Sequence, residues 1–166
     1  MTIEIRWFKD FKCTHCREMV AVDCLLSGVK NRNHCPYCLW SKHLDLYQAG
    51  DRLSACKAGM QPVGLALKRS RKKYGPAQGG ELMLIHRCTG CGSISVNRIA
   101  ADDIAERLYE VFINSLSGEL TPPSGVLPLG ATDTHLVRRR LFGESFTIQM
   151  PPPQENATLR QFTFEE

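Results

Sequence analysis

Three C-x-x-C pairs, Cys13/Cys16, Cys35/Cys38 and Cys88/Cys91, carry the chemistry of this chain. Eighteen residues separate the first pair from the second, giving C-x2-C-x18-C-x2-C. Two tight turns at this spacing gather four thiolates tetrahedrally round one ion, the pattern of a zinc ribbon. Zinc is redox-silent, and a site closed by four thiolates supplies folding free energy rather than a reactive position. The chain therefore reads as a binding module and not as an enzyme. A C-x-x-C redox centre would need a βαβ context after the pair, and none follows. A metal-dependent nuclease using Asn33, His34 and His43 would need an open coordination position, which closed cysteine sites do not offer.

The third pair, Cys88/Cys91, needs two further ligands. Cys24, Cys56, His15, His34, His43 and His86 are the candidates, and composition alone does not choose among them.

The elements that must hold these groups are short. Ile3, Ile5 and Trp7 alternate with polar residues and predict a strand entering the first knuckle. Residues 19–22 predict a second strand, 27–33 a turn-rich loop, and 50–51 a turn; Pro36 favours the tight bend of the second knuckle. Residues 62–68 and 81–87 predict an antiparallel pair, joined by a basic hairpin tip containing Arg69, Arg71, Lys72, Lys73 and Tyr74. From 101 a helix is expected, capped by Asp102 or Asp103 and ended by Gly118. Ile104, Leu108, Val111, Phe112 and Leu116 form its apolar stripe. Beyond 118, Pro122, Pro123, Pro128 and the run 151–153 punctuate apolar stretches without a sustained period. This segment predicts an extended tail, dispensable for folding of the ribbon, with short strands at 146–148 and 162–164. The expected fold is thus a small zinc-stapled β-rich ribbon (1–99), one amphipathic helix (100–118) and an extended Pro-rich tail (119–166).

Arg32-Asn33-His34-Cys35-Pro36 spells the signature of the RNHCP domain family, a small bacterial group. The chain resembles that family also through Cys38-Leu39-Trp40-Ser41-Lys42-His43-Leu44-Asp45, Gly50-Asp51-Arg52, Cys56, Arg87-Cys88-Thr89-Gly90-Cys91-Gly92, Asn97-Arg98 and Ala101-Asp102-Asp103. The resemblance covers about residues 10–103. It implies a first site of Cys13, Cys16, Cys35 and Cys38 and a second of His43, Cys56, Cys88 and Cys91, hence two zinc ions, with interleaved pairing still open. Cys24 and His86 match no fixed position of the family; Cys24 is expected as a small buried hydrophobe. His34, directly before a ligand, is expected to point away from that metal in a structural role. His15 is expected on an exposed knuckle tip. The basic hairpin and everything after about 103 depart from the family.

Charge then points to a partner. Residues 1–99 hold 16 Lys/Arg against 7 Asp/Glu, and residues 100–166 hold 5 against 10, within a net charge of +4. A basic cysteine-rich half suits a polyanion. The expected function is RNA binding without catalysis, as a structural or accessory component of the ribosome. The candidate contacts are Lys68, Arg69, Arg71, Lys72 and Lys73 on the hairpin and Arg138, Arg139 and Arg140 further on. The alternatives are a protein–protein adaptor using the 101–117 helix and tail, or a transcription-associated zinc ribbon. The charged start lacks an apolar signal core and no run approaches the ~18 apolar residues of a membrane span, so a cytoplasmic, reduced protein is expected.

Overall fold

The structure, a computed structural model, describes residues 10–48, 50–69, 80–118 and 126–143. The expected strand at 3–7, the hairpin tip with Arg71, Lys72, Lys73 and Tyr74, the proline run 151–153 and the strands at 146–148 and 162–164 lie outside these residues.

A first lobe is built from two knuckles. Strands β1 (Phe11–Lys12) and β2 (Met19–Val20) flank Cys13 and Cys16 as an antiparallel pair. The 4-residue helix α1 (Cys24–Ser27) follows, its first turn capped by the Asp23 carboxylate accepting from Leu25 N–H at 2.8 Å. Its apolar interior amounts to little more than the ligands: Cys13, Val20 and Cys35 are buried, with Phe11, Cys16 and Cys38 packed around them.

The larger lobe is an antiparallel sheet in which β4 (Gly59–Arg69) is central. On one side it pairs with β5 (Gly80–Cys88), which in turn pairs with β6 (Ile94–Arg98). On the other side two short strands share its edge: β3 (Ser41–Lys42) at one end and β7 (Val126–Pro128) at the other. Pro62, which has no N–H to give a ladder, sits where the β4–β5 register shifts between Pro62 and Gly64. The expected pair 62–68 and 81–87 is therefore present, extended by several residues.

Helix α2 (Ala105–Ser115) crosses this sheet. Leu108 and Phe112 from the expected stripe meet Leu65, Leu67 and Leu84 of the sheet and Leu39 of the second knuckle in one buried cluster. Each such side chain contributes about 1.5–3 kcal/mol on burial. The stripe thus packs on the protein's own sheet, with Ile104, Ile113 and Leu116 left at its exposed margin. The cap differs from expectation. Ile104 occupies the N-cap position without a side-chain bond, because both aspartates are engaged elsewhere: Asp102 pairs with Arg32 and Asp103 with His34.

The expected division into ribbon, helix and extended tail is corrected for residues 126–143. These residues pair and fold: β7 joins β4, a 3-10 turn (Ala131–Asp133) follows, and helix α3 (Thr134–Phe142) packs on α2. Leu129 and Val137 are buried in the same cluster as Phe112, and the Tyr109 and Phe142 rings meet edge-on at 5.8 Å. The apolar residues here lack a long period because they serve three short elements in succession. Truncation after Gly118 is accordingly expected to destabilise the sheet lobe, reversing the dispensable role that the sequence suggests. Leu129→Ala alone should cost about 2–5 kcal/mol in urea unfolding, and an unchanged midpoint would contradict this packing.

Candidate metal centres

Each C-x-x-C pair sits in the same backbone turn. In the three knuckles the first cysteine's N–H donates to the carbonyl five residues on: Cys13 to Glu18 at 2.8 Å, Cys35 to Trp40 at 3.0 Å, Cys88 to Ser93 at 2.8 Å. The residue four on returns an N–H to the cysteine carbonyl and takes a positive φ: Arg17 at 71°, Leu39 at 63°, Gly92 at 75°. A left-handed residue that is not glycine is uncommon, so Arg17 and Leu39 are held there by the turn and by what the turn positions. Such a turn aims both sulfurs to one side.

The two knuckles of the first lobe face each other. Cys13 and Cys38 sulfurs lie 3.6 Å apart and Cys16 and Cys35 sulfurs 3.5 Å apart. A tetrahedron of sulfurs about zinc at ~2.3 Å has edges of roughly 3.8 Å, close to these separations and far from the ~2.05 Å of a disulfide. The second set is asymmetric. The third knuckle supplies Cys88 and Cys91, while His43 and Cys56 come from the two ends of the 44–55 loop. Cys56 and Cys88 sulfurs are 3.6 Å apart, and His43 Nδ1 is 3.3 Å from Cys91 Sγ. In each set all four ligand atoms lie within 4.8 Å of one another. The structure thus brings together all eight residues in two uncrossed groups of four, each able to hold a zinc ion.

The electrostatics of the thiols call for a cation. Burial raises Cys13, but hydrogen bonds from the Cys16 and His15 backbone N–H groups outweigh it and bring that thiol down to about 7. Burial pushes Cys35 up to about 11 and raises Cys38 as well. In the second set the Ser93 hydroxyl and N–H hold Cys91 near 6. Cys56 has the Ala58 N–H favouring its thiolate, yet contact with the Cys88 thiol raises it. Some thiols in each set ionise readily and others resist further negative charge, a conflict that a divalent ion removes.

Local sequence explains the fit at the second centre. A Cβ on Gly90 would come within 2.8 Å of Ala58 Cβ and 3.2 Å of Cys56 Sγ. Gly90→Ala is therefore expected to expel the second ion while keeping the first, so metal analysis should fall to one zinc per chain. Two ions retained would contradict this crowding. The 44–54 loop that carries the ligands at its ends is held by two carboxylates. Asp51 accepts from the N–H groups of Leu46, Tyr47, Gln48 and Leu53, and Asp45 from those of Gly50 and Arg52, at 2.8–3.1 Å. Four such donors keep the Asp51 carboxyl well below the usual carboxylate range.

Residues that do not reach either centre have other partners. Cys24 is half-buried and outside both sets, so its expected burial is only partial. His15 is exposed and stacks on Trp40, ring centres 4.2 Å apart at 7°, and the benzo edge of that indole also lies close to Gly59, beside the second centre. Trp40 thus links the two lobes. His34 is buried and belongs to a side-chain chain that sequence reasoning did not assemble. His86 Nε2 donates to the Leu39 carbonyl at 2.7 Å, so its Nδ1 accepts from Asn97 Nδ2 at 2.8 Å. Asn97 Oδ1 accepts from Asn33 Nδ2, and Asn33 Oδ1 from His34 Nδ1 at 3.0 Å. His34 Nε2 meets Asp103 Oδ2 at 2.8 Å. Burial, reinforced by His34, pushes His86 down to about 3, consistent with a neutral ring that accepts at Nδ1.

Every side chain of Arg32-Asn33-His34 is therefore tied to a distant partner: Asp102, Asn97 and Asp103 respectively. The RNHCP domain model matches residues 8–109. The chain belongs to the RNHCP domain family. The match takes in the three knuckles, the polar chain and the start of α2, and stops short of β7 and α3. No curated protein and no solved structure matches the chain.

The basic candidates are placed unevenly. Lys68 is exposed at the end of β4; Arg69 closes that strand, and Arg71, Lys72 and Lys73 lie outside the described residues. Arg138, Arg139 and Arg140 belong to α3, the first half-buried and the other two exposed. Among the described residues no helix is long and apolar enough to cross a membrane.

Proposed function

We propose that this RNHCP protein is a non-catalytic zinc protein of the cytoplasm that binds RNA, as a structural or accessory component of the ribosome. The observation that supports it most is the continuation of the central hairpin. The β4–β5 pairing runs out to Lys68 opposite Glu81 and Arg69 opposite Gly80, and the chain between them supplies Arg71, Lys72 and Lys73. A basic tip carried on a stiff two-strand arm suits insertion against phosphates. Both cysteine sets close with four protein ligands, which supports a structural use of the metals. The surface on which an adaptor reading relies, the apolar stripe of α2, commits Leu108 and Phe112 to the protein's own core.

The test is sedimentation with ribosomes at two salt concentrations, comparing the native chain with one in which Arg69, Arg71, Lys72 and Lys73 are neutralised. Each lost contact to single-stranded RNA should flatten the log–log salt slope of binding by about 0.7. A slope that does not change means that these charges are only solvated. Absence of the native chain from ribosomal fractions at low salt rules out the assembly role.

A further inference from the structure

A cleft of about 770 Å3 opens between the first knuckle, the 30–33 segment and the base of the 44–54 loop. Its volume is within the ~300–1,000 Å3 range of ligand sites. Lys12, Lys30, Lys42 and Arg52 line it, all exposed, and no aspartate or glutamate does. None of these four forms an ion pair among the described residues. Arg32 also lines the cleft, but its side chain is buried and paired with Asp102, so it belongs to the frame. Phe11 and Trp40 add aromatic surface to the lining, alongside the polar Thr14, Asn31, Asn33 and Ser41.

Arg52 is presented deliberately. Its φ is 55°, a left-handed conformation, and its N–H is pinned to the Asp45 carboxylate at 3.1 Å. The carboxylates nearest in sequence, Asp45 and Asp51, accept from the loop's own N–H groups. The same fixed loop holds Tyr47, 85% exposed, over a smaller adjoining cleft that shares Lys42 and Arg52. An aromatic ring left in water on a backbone tied by six hydrogen bonds offers a stacking face at low entropic cost. Trp40 is less available, since His15 already stacks on one face of its indole.

We propose that this cleft and the smaller one beside it together bind a single-stranded RNA segment, with phosphates on Lys12, Lys30, Lys42 and Arg52 and one base stacked on Tyr47 at the smaller cleft. The pairing of unneutralised cations with an exposed ring suits a nucleotide strand; an acidic peptide would use the cations and leave the ring without a role. The inference rests on the RNA-binding reading above, but assigns the contact to the folded RNHCP unit and not to the hairpin tip.

The experiment is fluorescence anisotropy of a labelled hexauridylate with the full-length, zinc-loaded protein across a salt series. Lys42→Ala/Arg52→Ala, Tyr47→Ala and the neutralised hairpin are compared, each checked for two zinc ions. Loss of two phosphate contacts should flatten the log–log salt slope by about 1.4. Tyr47→Ala should weaken binding about 5- to 150-fold with the slope unchanged. Inorganic phosphate, uridine monophosphate and hexaglutamate serve as unlabelled competitors. If the hexamer binds but both cleft variants match the native protein while the hairpin variant fails, the cleft assignment is overturned and the RNA reading stands. If hexaglutamate competes as well as unlabelled hexamer, the site is one for acidic peptide and the proposal falls. Equal competition by the mononucleotide or by phosphate overturns the strand in favour of a free phosphate ligand. No binding of the hexamer at low salt overturns both readings.

Discussion

Removal of zinc by a strong chelator is expected to unfold the first lobe entirely, and Cys35→Ser to do the same. Structural zinc contributes on the order of 10 kcal/mol in small metal-stapled domains, comparable with the whole stability of an ordinary domain. Here the dependence is severe because the buried apolar set of that lobe is Cys13, Val20 and Cys35, two of them ligands. Without the ion its remaining contacts do not offset the entropy of ordering two knuckles. The native protein should contain two zinc ions by elemental analysis, and Cys24→Ser, outside both sets, should not change that number. Release should occur in two phases. Cys56 and Cys91 are exposed whereas Cys13 and Cys35 are buried, so the second ion should leave first. The sheet lobe, with its own cluster of Leu65, Leu84, Phe112 and Val137, should survive that first phase. A metallochromic indicator and near-ultraviolet circular dichroism followed together would show it. Native dichroism after both ions have gone would contradict the argument.

The second large effect concerns His34. His34→Ala is expected to cost about 1–3 kcal/mol, the scale for leaving a buried polar partner without its hydrogen bond. The Asp103 side chain is fully buried, and its Oδ1 already lacks a hydrogen-bond partner among the described residues. Removing His34 would leave its Oδ2 only the Ala100 N–H. Asn97→Leu should act in the same direction by stranding Asn33 Nδ2 and His86 Nδ1, at about 1–3 kcal/mol for each unsatisfied group. Urea unfolding of the zinc-saturated variants checks both. The double variant His34→Leu/Asp103→Leu should lose less than the two single losses together, because the bond between the two is then lost only once and neither of them is left facing a missing partner. A loss below about 1 kcal/mol for His34→Ala would mean that the chain of bonds does not hold the lobes together.

The metal centres were legible because ligand chemistry is local. C-x-x-C fixes a knuckle whatever surrounds it, so the spacing of the first two pairs identified their site directly. His43 and Cys56 were not legible in that way, since they come from the ends of a loop and meet the third knuckle only through the β3–β4 pairing; the family resemblance supplied them. The aspartates at 102 and 103 misled as helix caps. A carboxylate before a helical stripe has the right local chemistry for a cap, but Arg32 and His34, some seventy residues earlier, compete for it in the fold. Residues 126–143 misled for a related reason. Three residues of strand, one turn and a 9-residue helix are each too short to show a period, and what orders them is the edge of β4 and the side of α2.

That last arrangement has a consequence for the order of events during synthesis. The knuckles of the first lobe are complete once Cys38 is available, and the second centre once Cys91 is, but Leu129 and Val137 reach the common cluster much later in the chain. A growing polypeptide can therefore capture both metals while the flank of its central strand still stands open to neighbours. Such an unpaired edge invites pairing with another chain. The final stretch acts as the closing clasp, and a stalled or clipped product would keep its zinc and still aggregate.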